Sequence, residues 1–361
     1  MTHTFYMQEA LALANQARYI APPNPWVGCL IVKNNKIVGK GHTLPVGQSH
    51  AEICALTEAK ERAIGSTMYV TLEPCSHYGH TPPCVNAIIE SGVSEIFIAQ
   101  TDPDERVQGN GILRLRDAGI KIHIGICGEE ASKNLAPYLH QRRTGLPYTV
   151  LKAAISIDGR LAAEDGSSQW ITSSEARENA QLIRAESQAI IIGTQTALRD
   201  RPRLNVRRSD IPLAKQPLRV VLDSRGTVPV EGPLFDQNLG PTLVMTTVRS
   251  SSEKIKEWED RGIESVVIPS SEEGVDLREA WKNLGGRGIL QALVEGGSLL
   301  QTQLLKQGLI NHLTVYLGPV LLGSSGLPLF RESIGSLAEA PRFKREGVQA
   351  LGDTIRIDYS I

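Results

Sequence analysis

The chain has 361 residues, enough for two domains that each bury a core. Its 41% hydrophobic and 21% charged residues are those of an ordinary globular protein, and a net charge of −1 offers no basic field to nucleic acid or an anionic membrane. No apolar run reaches the roughly 18–20 residues of a membrane span and no signal-peptide layout opens the chain, so the expected location is the cytoplasm.

Residues 5–19 carry a helical pattern that stops before Ala21-Pro22-Pro23-Asn24-Pro25. Residues 29–32 and 37–39, on either side of Asn34-Asn35, predict a hairpin with a tight turn. Residues 50–63 are helical in pattern and 68–72 form a short strand. Pro82-Pro83 opens a helix to about residue 91, since proline suits a first helical turn. A strand over 95–100, a helix over 111–118 and a strand over 120–126 follow. Strands alternating with helices imply an α/β layer fold. The polar, basic stretch 138–147, punctuated by Gly145 and Pro147, predicts the boundary between domains over 1–145 and 146–361.

A new alternation starts with a strand over 149–157 and a turn at Asp158-Gly159. Thr172-Ser173-Ser174-Glu175 reads as a capping box opening a helix to about residue 186. Apolar strands follow at 189–192, 218–222, 242–245, 265–268, 290–294, 312–317 and 354–358, with helices in several gaps, which predicts a second α/β domain around a mainly parallel sheet. Part of the cluster Arg199, Arg201, Arg203, Arg207 and Arg208 suits a small anion. The odd count of five cysteines argues against a disulfide framework, and Cys29, Cys54 and Cys127 sit in apolar segments as expected core residues.

The remaining cysteines, Cys75 and Cys84, follow His50-Ala51-Glu52. One imidazole and two thiolates suit a tetrahedral Zn²⁺ with the fourth position open. A water there would have its pKa lowered from about 16 toward about 7. Cys84 lies just inside a helix start, where the dipole favours a thiolate. Residues two apart in a regular helix point about 200° apart, so His50 and Glu52 converge only if they flank a first turn. Glu52 is then free to shuttle protons. A closed structural site would need a fourth ligand, for which His77 and His80 are the candidates. In the second half there is no Gly-x-Gly-x-x-Gly, but Glu295-Gly296-Gly297-Ser298 follows an apolar strand and opens a helix that can present N–H groups to a phosphate.

His50-Ala51-Glu52 with Glu73-Pro74-Cys75 and Gly79-His80-Thr81-Pro82-Pro83-Cys84 resembles the cytidine deaminase superfamily, where the usual spacing is Cys-x-x-Cys. With eight residues between its cysteines, this chain resembles more closely the bifunctional riboflavin-biosynthesis deaminase/reductase family. Asn24-Pro25-x-Val27-Gly28, Gly41-His42-Thr43, Lys152-Ala153-Ala154-x-Ser156-x-Asp158-Gly159-Arg160, Gln169-Trp170-Ile171-Thr172 and Val294-Glu295-Gly296-Gly297 carry the resemblance along nearly the whole chain.

The resemblance implies a cytidine-deaminase-like α/β/α domain followed by a dihydrofolate-reductase-like α/β domain. The first would hydrolyse the 2-amino group of 2,5-diamino-6-(5-phosphoribosylamino)pyrimidin-4-one. His50, Cys75 and Cys84 would hold Zn²⁺, Glu52 would move protons, and Asn24, His42 and His77 would touch substrate. The second would use NADPH to reduce the ribosyl chain to ribityl, by hydride delivery to C1′. By the same resemblance Ala154, Trp170, Thr196, Asp200, Ser224 and Gly297, Ser298, Leu299, Leu300, Gln301, Thr302 and Gln303 lie on NADPH. Ser168, Arg184, Leu204, Arg207 and Glu295 lie on substrate, with Arg184 and Arg207 suited to its phosphate. Lys152 is the catalytic or sugar-orienting group. The partners implied are this small molecule and further copies of the chain, without nucleic acid or membrane. Two departures stand out. His80 occupies a position that is often basic in relatives, which predicts weaker phosphate attraction above about pH 7. The segment 102–110 also lacks the basic residue that often ends it in relatives.

Two other readings compete. A nucleobase or tRNA deaminase with an unrelated C-terminal domain would, in the tRNA case, need a basic, aromatic-rich surface, and only 5% of residues are aromatic. A non-catalytic zinc-stabilised binding protein would have no use for Glu52.

Overall fold

The computed structural model describes residues 1–79 and 81–361, so the expectation for His80 lies outside the described residues. The chain divides into two compact units, Met1–Gly145 with Pro212–Lys215, and Leu146–Ile211 with Gln216–Ile361. The sequence gives no signal that Pro212–Lys215 groups with the first unit.

The first unit opens with α1 (His3–Ala17), capped by Thr2, whose hydroxyl accepts from the Phe5 N–H at 3.2 Å. Its buried face, Tyr6, Met7, Ala10, Leu11, Ala14 and Ala17, has helical spacing. β1 (Gly28–Lys33) and β2 (Lys36–His42) form the expected hairpin. Asn34 and Asn35, at φ of 51° and 59°, supply the two left-handed residues of its turn. α2 (Ala51–Ala59) lies directly on β2: a Cβ on Gly41 would come within 2.1 Å of the Ala51 carbonyl oxygen. That close approach fixes the start of α2, and with it His50, against the sheet.

β3 (Thr67–Val70), α3 (Cys84–Glu90), β4 (Glu95–Ile98), α4 (Asn110–Asp117) and β5 (Lys121–Ile124) follow. The sheet order is β2-β1-β3-β4-β5, with β1 antiparallel to both neighbours and β3, β4 and β5 parallel. One core, with Tyr6, Met7, Leu30, Tyr69 and Phe97, lies between α1 and the sheet. The chain continues into α5 (Gly128–Asn134) and α6 (Ala136–Thr144). The stretch read from sequence as a polar boundary is thus largely helical. Tyr138 and Leu139 are buried, Arg142 and Arg143 favour the C-terminal turn, and Gly145 at φ 73° ends it.

The second unit begins with β6 (Tyr148–Ile155), β7 (Arg160–Ala162), α7 (Ser174–Glu186), β8 (Ala189–Gly193) and α8 (Thr194–Asp200). Ser173 caps α7, accepting from the Ala176 N–H, so the cap sits one residue later than the capping box predicted. β9 (Leu218–Leu222), β10 (Thr242–Thr246), α9 (Ser252–Asp260), β11 (Glu264–Val267), β12 (Ser270–Ser271), β13 (Gly274–Val275) and α10 (Leu277–Gly286) come next. β14 (Gln291–Val294), α11 (Ser298–Lys306), β15 (His312–Leu317), β16 (Leu327–Pro328), β17 (Lys344–Leu351) and β18 (Thr354–Ser360) complete the chain.

The main sheet has the order β11-β10-β9-β8-β14-β6-β15-β18-β17. It is parallel as far as β15, after which β18 and β17 pair antiparallel. Both faces are covered: Ile191 packs in a core with Trp281 and Leu151, while Ile190 and Ile192 pack in a second with Trp258 and Tyr316. A sheet buried on both faces explains the continuous apolar runs of its strands. Cys29 is buried as expected, but Cys54 and Cys127 are only half-buried. Cys127 takes φ 53° at the start of α5 and packs against the edge of the first unit's core. No helix among the described residues is long and apolar enough to cross a membrane.

Candidate functional site

In the first unit His50 is the residue before α2, with extended φ and ψ of −74° and 165°. Glu52 occupies the first turn of α2 and is buried. This is the irregular-to-helical junction that lets two residues of such close spacing converge. Cys75 lies in the loop after β3, and Cys84 is the first residue of α3, after Pro83. His50 Nδ1 lies 3.6 Å from Cys75 Sγ and 3.3 Å from Cys84 Sγ. A tetrahedron with metal–ligand arms of about 2.1–2.3 Å has edges of about 3.5 Å, so this donor set fits Zn²⁺. The three ligand atoms lie within 4.8 Å of one another.

The electrostatics agree with a cation site. Hydrogen bonds from Cys84 outweigh burial, with help from His50, and hold the Cys75 thiol down at about 4. Cys84, buried beside that thiolate, is pushed up in the protein alone, and a central cation would draw its proton off. Burial, reinforced by Cys75 and opposed by His50, pushes the Glu52 carboxyl up to about 7.

Around this centre, Thr81 Oγ1 lies 3.4 Å from His50 Nε2, leaving Nδ1 to face the sulfurs. Sequence reasoning missed this residue. It also missed Glu73, buried next to Pro74-Cys75, whose carboxylate accepts the N–H groups of Asp102, Gly109 and Ile112 at 3.2–3.3 Å. His77 is half-buried, with its Nδ1 buried and unpartnered among the described residues. His42 is half-buried and burial pushes its pKa down. Asn24 lies in the loop between α1 and β1.

The second unit contains a cavity of about 890 Å³, entirely within that unit. Of the residues expected on cofactor or substrate, Lys152, Ala154, Ser168, Trp170, Thr196, Asp200, Ser224 and Glu295 line it. So do Gly297, Ser298, Leu299, Leu300, Gln301 and Gln303. Trp170 is 67% exposed, an aromatic plate on the cavity wall with Arg177 over its ring at 4.3 Å, not a core residue. Four expected residues are absent from the lining. Leu204 is 2% exposed and packs in the core. Thr302 is spent on structure: its hydroxyl donates to the Ser298 carbonyl and accepts from the Arg331 N–H. Arg184 lies behind Glu295, donating to both carboxylate oxygens at 2.5 and 2.7 Å and to the Asn205 carbonyl. Arg207 is exposed and donates to Asn205 Oδ1 at 3.4 Å.

Burial alone would raise Glu295, but Arg184, with Lys152 and Arg207, holds it at about 2. Burial pushes Lys152 down and Glu295 opposes the shift. The arginine cluster does not converge on one anion: Arg199 lines the cavity, whereas Arg208 pairs with Asp210.

The cavity also fits a dinucleotide. α11 has Gly297 as its N-cap and no side-chain cap, so its first N–H groups remain for a phosphate. A Cβ on Gly297 would sit 3.1 Å from Thr196 Oγ1, closing the cradle. Gln301 Oε1 is buried and has no hydrogen-bond partner among the described residues.

Comparison with known proteins decides the family. Residues 1–100 match the cytidine and deoxycytidylate deaminase zinc-binding region, and residues 147–357 match the RibD C-terminal domain. The chain belongs to the RibD family. The riboflavin biosynthesis protein RibD of Chlamydia muridarum is 45% identical over 353 residues, covering 98% of this chain and 95% of that protein. Acinetobacter baumannii RibD, form 1, has a TM-score of 0.91 at 38% identity, covering 99% of this chain and 98% of that one. A diaminohydroxyphosphoribosylaminopyrimidine deaminase/5-amino-6-(5-phosphoribosylamino)uracil reductase of Thermotoga maritima has a TM-score of 0.86 at 28% identity, with 99% and 98% covered. As a RibD protein the chain is a bifunctional enzyme of riboflavin biosynthesis. It joins a cytidine-deaminase-like fold to a dihydrofolate-reductase-like one, and its cofactors are zinc and NADPH.

Proposed function

We propose that residues 1–145 deaminate 2,5-diamino-6-(5-phosphoribosylamino)pyrimidin-4-one and that residues 146–361 reduce the ribosyl chain of the product to ribityl. The observation that carries this reading is the convergence of His50 Nδ1, Cys75 Sγ and Cys84 Sγ beside a buried carboxylate on Glu52. His50, Cys75 and Cys84 hold the zinc. Bound there, zinc supplies the acidified water that hydrolysis consumes. Glu52 would carry one proton of the attacking water to a ring nitrogen and then the second, from the hydroxyl so formed on carbon, to the departing amine, so that the carbonyl forms as ammonia leaves. Asn24, His42 and His77 orient the pyrimidine, and Thr81 keeps the His50 ring in its ligating orientation.

In the second unit NADPH supplies the hydride for C1′ of the sugar. Ala154, Trp170, Thr196, Asp200, Ser224 and the start of α11 hold the cofactor. Lys152 and Glu295 orient the sugar, and Arg184 keeps Glu295 ionised and aimed. Arg207 and Ser168 meet the substrate phosphate, with Arg184 offering any N–H left over from Glu295. Leu204 and Thr302 support these residues from the core rather than by touching a ligand. The enzyme works in the cytoplasm as a homo-oligomer on this small molecule, with no nucleic acid or membrane partner. Light scattering on a sizing column tests the assembly.

The decisive experiment is coupled turnover of the diaminopyrimidinone ribosyl phosphate with NADPH. Glu52→Ala should release no ammonia while still reducing the separately supplied deaminated intermediate. Normal ammonia release by Glu52→Ala would overturn the assignment.

A further inference from the structure

The cavity of the second unit has two ends. Lys152 of β6 and Glu295 after β14, where the proposed reduction takes place, lie toward one, α11 opens just after Glu295, and the turn after β9 lies two strands beyond β14 in the sheet. The far arm is lined by Leu222, Ser224, Arg225, Thr227, Gly274 and Val275. With its reactive ring beside Lys152 and its pyrophosphate at α11, a dinucleotide must lay its adenosine along this arm.

The turn Asp223-Ser224-Arg225-Gly226 forms one wall of that arm, and it is pinned from several sides. Thr246 Oγ1 donates to the Asp223 carbonyl and Thr247 Oγ1 to the Ser224 carbonyl, both at 2.7 Å. The Asp223 carboxylate accepts from the Val228 N–H at 2.8 Å and from Thr227 Oγ1 at 3.1 Å. Gly226 has φ 66°, and a Cβ there would lie 2.2 Å from Ser250 Oγ, so only glycine fits. Across the arm, Arg249 donates to the Ser271 and Gly274 carbonyls and is thereby occupied.

Two consequences follow for the ribose of the adenosine. An acid at the end of a strand can bind a free 2′-hydroxyl, as in many NAD sites. Asp223 stands at the end of β9, but its carboxylate is buried and committed to the turn. Arg225 is exposed on the cavity wall and makes no hydrogen bond or ion pair among the described residues. The other cations of the lining are placed elsewhere. Lys152 is at the reacting end, Arg177 covers Trp170, and Arg199 and Arg331 also line a second cavity of about 390 Å³. Glu273, the acid on this arm, feels the charge of Lys306.

We propose that Arg225, presented with Ser224 on this pinned turn, receives the 2′-phosphate of the cofactor and sets the preference for NADPH over NADH. The inference rests on the cavity being the NADPH site. A guanidinium can give a phosphate two parallel charge-assisted hydrogen bonds, and the rigid turn means that little order is lost on binding.

Calorimetric titration with adenosine 2′,5′-bisphosphate and with adenosine 5′-monophosphate tests it without turnover. Wild type should bind the bisphosphate more tightly. Arg225→Gln should weaken the bisphosphate roughly ten- to a hundredfold while leaving the monophosphate unchanged, which also reports that the turn is still folded. Arg225→Lys should recover part of the loss. In steady state the KM for NADPH should rise by a similar factor in Arg225→Gln, with kcat/KM for NADH unmoved. Equal loss of both nucleotides, or no loss of either, would overturn the role of Arg225 and leave the cofactor site standing. Wild type that binds neither nucleotide and oxidises neither cofactor would overturn the site itself, and the proposal with it.

Discussion

At the scale of single residues, the zinc ligands were readable because few side chains can do their work. An imidazole and two thiolates near a carboxylate have a narrow range of uses, and the spacing His50, Cys75, Cys84 expressed one of them. Thr81 was not readable, because a hydroxyl has no diagnostic spacing. Its contact with His50 spans 31 residues and exists only once the loop has folded. Thr81→Val should leave His50 able to rotate. We expect zinc affinity, measured by competition with a chromogenic chelator, to fall about ten- to a hundredfold. Unchanged affinity would reduce Thr81 to loop packing. Arg184 and Glu295 teach the same lesson across 111 residues. The family resemblance implies that both touch substrate, and the fold also joins them to each other through two hydrogen bonds.

At the scale of elements, strands and helices with an apolar run or a periodic apolar pattern were legible, and those without either were not. β17 has neither alternation nor an apolar run. Its burial is low along its length, and Lys344, Arg345 and Glu346 give it the charged character of a sheet edge. Arg219 is the converse: an arginine within the apolar strand β9 that is fully buried. It donates to the carbonyls of Arg203, Pro233, Asp236, Gly240 and Pro241, partners that no pattern in β9 announces.

Asp358 ties three elements together. It accepts from Thr314 of β15 at 2.8 Å and pairs with His312 at 3.1 Å and with Arg356 at 2.9 Å. Arg356 in turn donates to Asn179 of α7. Burial would raise Asp358, but these hydrogen bonds, led by His312 and Arg356, hold it at about 2. A carboxylate depressed in the folded state stabilises above its unfolded value near 4, and that contribution is lost as pH falls from about 4 toward about 2. Allowing for solvent screening, it is of order 1 kcal/mol. Urea midpoints for wild type and Asp358→Asn should therefore differ at pH 6 and draw together as the pH falls from about 4 toward about 2. A constant gap would contradict the depressed carboxyl.

For the whole molecule, the two units carry separate cores, and the zinc ligands and the large cavity lie in different ones. Dialysis against a chelator should therefore stop ammonia release while NADPH oxidation on pre-deaminated intermediate continues unchanged. Parallel loss of both activities would mean that zinc supports the fold of the reductase as well. By itself, the sequence determined the α/β class, most strands, a donor set suited to a metal and the family resemblance. These depend on periodicity and on residue types with few chemical uses, both local along the chain. Tertiary structure alone decided which nitrogen of His50 faces the sulfurs, that Arg184 is bound to Glu295, that Leu204 packs in a core and Thr302 bonds to Ser298 and Arg331, and that, among the described residues, Asp223 is committed while Arg225 has no partner. Each of those depends on contacts between distant segments, where a side chain's role is set by what the fold brings within about 3 Å of it.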